Sequence, residues 1–145
     1  MKKEIRRAIH HPHEVPIEVQ TLGTQERDCL PASSTGLAEL VLELSYRINV
    51  GDVVVVNIPS VNGGARICGR VIWLAKSAYG YVIGLSFYSA DEVFRMRMIE
   101  QVCHIEAYRS KKLSSEGRRL SSEEAAAEWI TRYAASFPTA LPMAA

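Results

Sequence analysis

The side chains best suited to chemistry lie near the start of the chain, in His10-His11-Pro12-His13. Neutral imidazoles ligate zinc, but three of them in one short polar segment have no rigid element to complete a coordination sphere. Cys103-His104 offers two more donors on a helical stretch, where adjacent residues point to different sides. The segment therefore reads as a solvated polar arm, with no metal and no cofactor expected. Cys29, Cys68 and Cys103 are odd in number and widely spaced, which describes reduced, partly buried thiols rather than a disulfide framework. No feature marks a thiol with a lowered pKa, so a Cys–His nucleophile is not expected. A Gly-rich phosphate loop with Lys and Ser/Thr, a nucleophile elbow and an HExxH helix are all missing from the sequence, and the chain does not read as an enzyme. Two features instead suit binding. Arg6 and Arg7 are forked donors able to grip a phosphate or a guanine edge, and Ser33-Ser34-Thr35-Gly36 offers hydroxyls beside a glycine that permits close backbone approach.

The elements that would position these groups fall into three stretches. Residues 1–16 form a basic N-terminal arm, extended because residues preceding a proline avoid the helical region. Residues from about 17 to 88 are strand-rich. Ile17-Glu18-Val19-Gln20 alternates apolar and polar, and Leu37 to Leu44 is apolar apart from Glu39 and Glu43. Val53-Val54-Val55-Val56-Asn57-Ile58 is a continuous β-branched run, as expected of a strand buried on both faces. Pro59 ends that run, and Asn62-Gly63-Gly64 supplies hairpin chemistry before a strand over 65–75 containing Trp73. Lys76 to Gly80 turns the chain into Tyr81 to Phe87. Strands this short, with turns every eight to twelve residues, predict an antiparallel barrel or sandwich.

Helices follow. Ser89 with Glu92 has capping-box spacing and opens a helix expected to run to about Tyr108, with Phe94, Met98, Val102 and Ile105 on one face. Ser121 with Glu124 opens a second helix, whose Ala126, Trp129, Ile130, Tyr133, Ala134 and Phe137 form an apolar stripe that Pro138 terminates. The domain reading is an arm over 1–16, a strand-rich unit with its following helix over 17–108, and a helical extension and tail over 109–145.

Composition bounds what such a chain can do. Seventeen Lys and Arg against 16 Asp and Glu leave a formal net charge of +1, so there is no global field for bulk polyanions. No apolar run approaches the ~20 residues of a membrane helix, and no apolar segment follows the basic start as a secretion signal would require. The expectation is a cytoplasmic protein without membrane insertion.

In their order and spacing the fragments resemble the PilZ domain family. Arg6-Arg7 precedes Pro12 and Val15-Pro16-Ile17-Glu18-Val19. Ser33 with Gly36-Leu37 comes next, then Val50-Gly51-Asp52 entering the valine-rich strand, Gly69-Arg70-Val71-Ile72-Trp73, and Tyr81 to Phe87 with its Gly-x-x-Phe ending. The resemblance covers roughly residues 4–108, and Phe94 to Gln101 with the last helix is similar to a subgroup carrying a helical C-terminal extension. It implies a mostly β fold, a six-stranded antiparallel barrel with an N-terminal arm and C-terminal helices. It also implies a ligand, cyclic di-GMP, clasped by an RxxxR arm and a [D/N]xSxxG loop. Carried over by position, the site residues are Arg6, Arg7, His10, Ser33 and Gly36, with Arg70 as a supporting donor.

Both ligand motifs depart from the pattern. The second Arg position holds His10, or His11 if the motif starts at Arg7, and the Asp/Asn position holds Pro31. A lost bidentate contact to guanine costs roughly 1–3 kcal/mol, by analogy with DNA readout. If Pro31 costs as much, the two departures remove about 2–6 of the about 8 kcal/mol that micromolar binding represents. Three functions compete on these grounds. The first is a cyclic di-GMP receptor and adaptor in bacterial control of motility, pili or surface behaviour. The second is a PilZ-like module that has lost the nucleotide and acts through a protein partner. In that case the last helix docks on the barrel, pairs in a homodimer or receives a partner helix. A single-strand nucleic-acid binder is a distant third, because such sites interleave aromatic platforms with basic residues and the balanced charge speaks against DNA or RNA.

Overall fold

The computed structural model describes residues 8–22, 37–61 and 63–137 of the chain. Six strands, β1 (Ile9–His10), β2 (Glu18–Thr21), β3 (Leu40–Leu44), β4 (Val53–Ile58), β5 (Ala65–Ser77) and β6 (Gly80–Ser86), form one sheet in the order β1-β3-β6-β5-β4-β2. Two helices follow, α1 (Ala90–Glu116) and α2 (Ser122–Tyr133).

The valine run behaves as its composition requires. Val53 to Val56 are all buried, at 5% exposure or less. β4 pairs antiparallel with β5 through a turn in which Gly63 and Gly64 both take positive φ, a conformation other residues adopt only with strain. β5 and β6 form the longest ladder, closed by the Ser77–Gly80 pair and irregular between Val71 and Trp73. Gly84 lies under the Trp73 indole, and a Cβ there would overlap the ring, so this glycine is fixed by close approach. Trp73 itself is half-buried.

The sheet is mixed, which corrects the expectation of an antiparallel architecture. β1 runs parallel to β3, with Ile9 and His11 N–H groups donating to the Glu39 and Val41 carbonyls at 3.0 Å. The reason is connectivity. From β1 the chain does not turn back in a hairpin; residues 11–17 carry it to β2 at the opposite edge. No ladder joins those two edges among the described residues, so hydrogen bonding leaves the sheet unclosed. It is nevertheless strongly curved. Tyr46, just after β3, donates its hydroxyl to the Val19 carbonyl of β2 at 3.0 Å. Those strands stand four positions apart in the order, about 19 Å on a flat sheet. Inside the curve one apolar cluster runs from Ile9 and Val15 through Leu40, Leu42, Val54, Val56, Ile67, Val71, Ile83 and Leu85 to Met96 and Cys103 of α1.

The arm is also better anchored than its composition suggests. Ala8, Ile9 and Val15 are at most 6% exposed, and a turn from Pro12 to Val15 folds the segment back. A polar-looking stretch is thus docked over residues 8–16 by three small apolar side chains and two backbone bonds.

Helix α1 starts as expected, with the Ser89 hydroxyl accepting from the Glu92 amide, but it runs eight residues beyond Tyr108. Gly117, at φ 68°, ends it in a left-handed cap whose amide, with that of Arg118, satisfies the Leu113 and Lys112 carbonyls. α2 opens with a complete capping box between Ser121 and Glu124. It packs on α1 through a second cluster of Tyr108, Leu120, Ala125 and Trp129, while Phe137 touches both clusters.

Candidate functional site

Arg6, Arg7, Ser33 and Gly36, together with Pro31, lie outside the described residues. Of the expected ligand groups, His10 and Arg70 are described. His10 is exposed on β1, and its carbonyl accepts a hydrogen bond from His104 Nε2 at 2.9 Å. Arg70 sits on β5 opposite Val53 and Ser86, where Nη1 donates to the Gly51 carbonyl at 3.1 Å. Two strands, β3 and β6, lie between β1 and β5 in the sheet, so the two residues are not on neighbouring strands, and Arg70 helps hold the turn before β4.

What the fold does bring together is a buried polar centre under the arm. His11 Nδ1 lies 2.7 Å from Glu100 Oε2, and Nε2 lies 2.8 Å from the Val15 carbonyl oxygen. The Val15 carbonyl can only accept, so Nε2 is the donor to it, and Nδ1 shares a proton with the Glu100 carboxyl. Burial alone would lower the His11 pKa, but the hydrogen bond and charge of Glu100, with the Val15 carbonyl, outweigh it and hold the pKa above its ordinary value. Glu100 is fully buried, and its other oxygen, Oε1, has no hydrogen-bond partner among the described residues. Cys103 completes the group. His11, Glu100 and Cys103 each place a ligating atom within 4.8 Å of the others. Burial, then the charges of Glu100 and Glu106, push the Cys103 thiol above its ordinary pKa.

Local sequence explains each position. Ile9 and His11 are two apart on an extended segment, so both face inward; the Pro12–Val15 turn then returns the Val15 carbonyl to the ring. On α1, Met96, Glu100 and Cys103 lie at spacings of four and three and are all fully buried. A glutamate within a buried stripe was the available signal. The more apolar face of Phe94, Met98 and Val102 masked it, yet those three side chains are 54, 49 and 42% exposed. The solvated reading of the histidine segment therefore fails at His11, because helix α1 supplies the rigid partner that the segment lacks by itself.

His104, next on the helix, points to the other side. Its ring meets Phe137 edge-on at 5.0 Å and leans on Trp129 at 6.4 Å, and desolvation holds its pKa below the ordinary value. These rings, with Pro12, Glu14 and Tyr133, line an open cleft of about 390 Å³ between the arm and the two helices. On α2, Ile130 and Tyr133 remain exposed, whereas Trp129 is buried.

No family model, curated protein or solved structure matches the chain.

Proposed function

We propose that this chain is a PilZ-type signalling adaptor of the bacterial cytoplasm, built on a rolled six-stranded barrel. In this reading Arg6, Arg7, His10, Ser33 and Gly36 clasp cyclic di-GMP and the helices transmit the event to a protein partner in control of motility, pili or surface behaviour. The fold reading is supported by the Tyr46–Val19 hydrogen bond and by the continuous core inside the curve. The functional reading is carried by one observation: the arm is bonded to α1 at two successive residues, His11 to Glu100 and the His10 carbonyl to His104. A ligand pulling on Arg6 and Arg7 therefore acts on a segment mechanically continuous with the helices. Arg70, already engaged by Gly51, is a weaker member of the ligand set.

A second reading, in which the nucleotide is lost and only protein contacts remain, is favoured by the exposed Phe94, Met98 and Val102 stripe. Titration calorimetry with cyclic di-GMP separates the two. Binding heat in the wild type that disappears in the Arg6→Ala/Arg7→Ala variant is the expected result. An absence of heat up to high micromolar nucleotide refutes the receptor and leaves the partner-binding module.

A further inference from the structure

We propose that His11, Glu100 and Cys103 form a metal site for a zinc-class divalent cation that clamps the arm to helix α1. This goes beyond the adaptor reading and does not depend on it.

Three independent observations point to a cation. First, nitrogen, oxygen and sulfur donors from two elements converge within 4.8 Å. Donors around a tetrahedral zinc are about 3.4–3.7 Å apart, so closure needs the His11–Glu100 contact to open slightly and the thiol to move in. Second, Glu100 is fully buried with Oε1 unpartnered among the described residues, leaving capacity in the carboxylate that the His11 bond does not use. Third, the 2.8 Å bond from His11 Nε2 to the Val15 carbonyl is the outer contact that metal-bound imidazoles make. It fixes the tautomer in which Nδ1, the nitrogen directed at Glu100, is free to ligate.

The donor set also selects the ion. A thiolate, an imidazole and a carboxylate suit zinc or cobalt, whereas magnesium and calcium prefer oxygen alone. Charge balances on entry. The His11–Glu100 pair with one shared proton and a neutral thiol sum to zero. A divalent ion that displaces that shared proton and the one on Sγ, leaving thiolate, carboxylate and neutral imidazole, again sums to zero. A buried site can make that exchange without acquiring net charge. Glu100 and Cys103 are held by the helix and His11 by the docked arm, so the ion would join the two elements that the hydrogen bond now joins.

Cobalt(II), added to the full-length protein after treatment with EDTA and a thiol-free reductant, is the direct probe. The expected result is one cobalt per chain with a near-ultraviolet thiolate-to-cobalt band and intense visible bands of tetrahedral cobalt, all bleached by zinc. The Cys29→Ser/Cys68→Ser variant retains Cys103 alone and keeps the band, which assigns the thiolate even if Cys103→Ser fails to fold. His11→Asn and Glu100→Gln each weaken binding at least tenfold. An absence of stoichiometric binding, a band lost in the Cys29→Ser/Cys68→Ser variant, or a band persisting in a folded Cys103→Ser variant overturns the proposal. Binding to exposed His10 and His13 alone would show no thiolate band, and it too would refute the site.

Discussion

Replacing His11 by leucine isolates the energetic role of the buried pair. The substitution keeps bulk beside the core but removes both ring nitrogens. Glu100 is then left fully buried with Oε2 unbonded, alongside an Oε1 that already has no partner among the described residues. Breaking a buried pair on one side costs about 3–5 kcal/mol, because the remaining charge is uncompensated. At about 2–4 °C per kcal/mol for a chain of this size, the melting temperature should fall by about 6–20 °C. Glu100→Met should cost less, because a neutral His11 can still donate from Nε2 to the Val15 carbonyl. The double variant removes both charges and fills both positions with apolar groups, so it should lie within about 1 kcal/mol of wild type or above it. Urea unfolding followed by circular dichroism, in EDTA at neutral pH, measures all four corners of this cycle. Amide exchange adds the location: the Ile9 and His11 N–H groups, bonded to Glu39 and Val41, should lose protection in His11→Leu. A His11→Leu loss below about 1 kcal/mol, or a double variant no more stable than His11→Leu, would refute the claim that this pair matters through its buried charge.

Two further outcomes test the helical extension. Trp129 is 4% exposed in the cluster joining α2 to α1, so Trp129→Ala should cost about 3–5 kcal/mol and open residues 117–121 to limited proteolysis, while unchanged stability and cleavage would contradict the packing. Hydrogen bonds from Arg118 and Tyr108 hold the Glu128 pKa down to about 2, so its contribution is present above the ordinary carboxylate pKa and lost as pH falls towards 2; the stability difference between wild type and Glu128→Gln should shrink between pH 6 and pH 2.5, and a constant difference would exclude the ion pair as its source.

Much of the strand ladder was legible because it obeys local rules. The valine run, the Gly63-Gly64 turn, the β5–β6 hairpin and the Ser121 capping box each declare themselves within a few residues. What local pattern could not provide was the parallel pairing of β1, since a two-residue strand is defined by its partner rather than by its own composition. Nor could it choose between the faces of α1. The stripe of Phe94, Met98 and Val102 is the more apolar, yet the core takes the face carrying Met96, Glu100 and Cys103. A buried glutamate becomes acceptable only when His11, 89 residues earlier in sequence, arrives to pair with it.

That choice of face has a consequence for how the molecule can work. Had α1 buried its more apolar stripe, Phe94, Met98 and Val102 would be spent on the core. The His11–Glu100 pair substitutes for apolar contact on the inner face, so the outer stripe remains available. A pair of this kind contributes little net stability compared with well-packed hydrophobic residues, but its loss on one side is expensive, so it specifies one docking of the arm more strongly than it stabilises the fold. Arm position and helix orientation are thereby coupled through this buried pair, beside the His10 carbonyl–His104 bond. Any ligand or ion that draws His11 away from Glu100 must supply a compensating charge or release the arm, and either event reaches α1 directly.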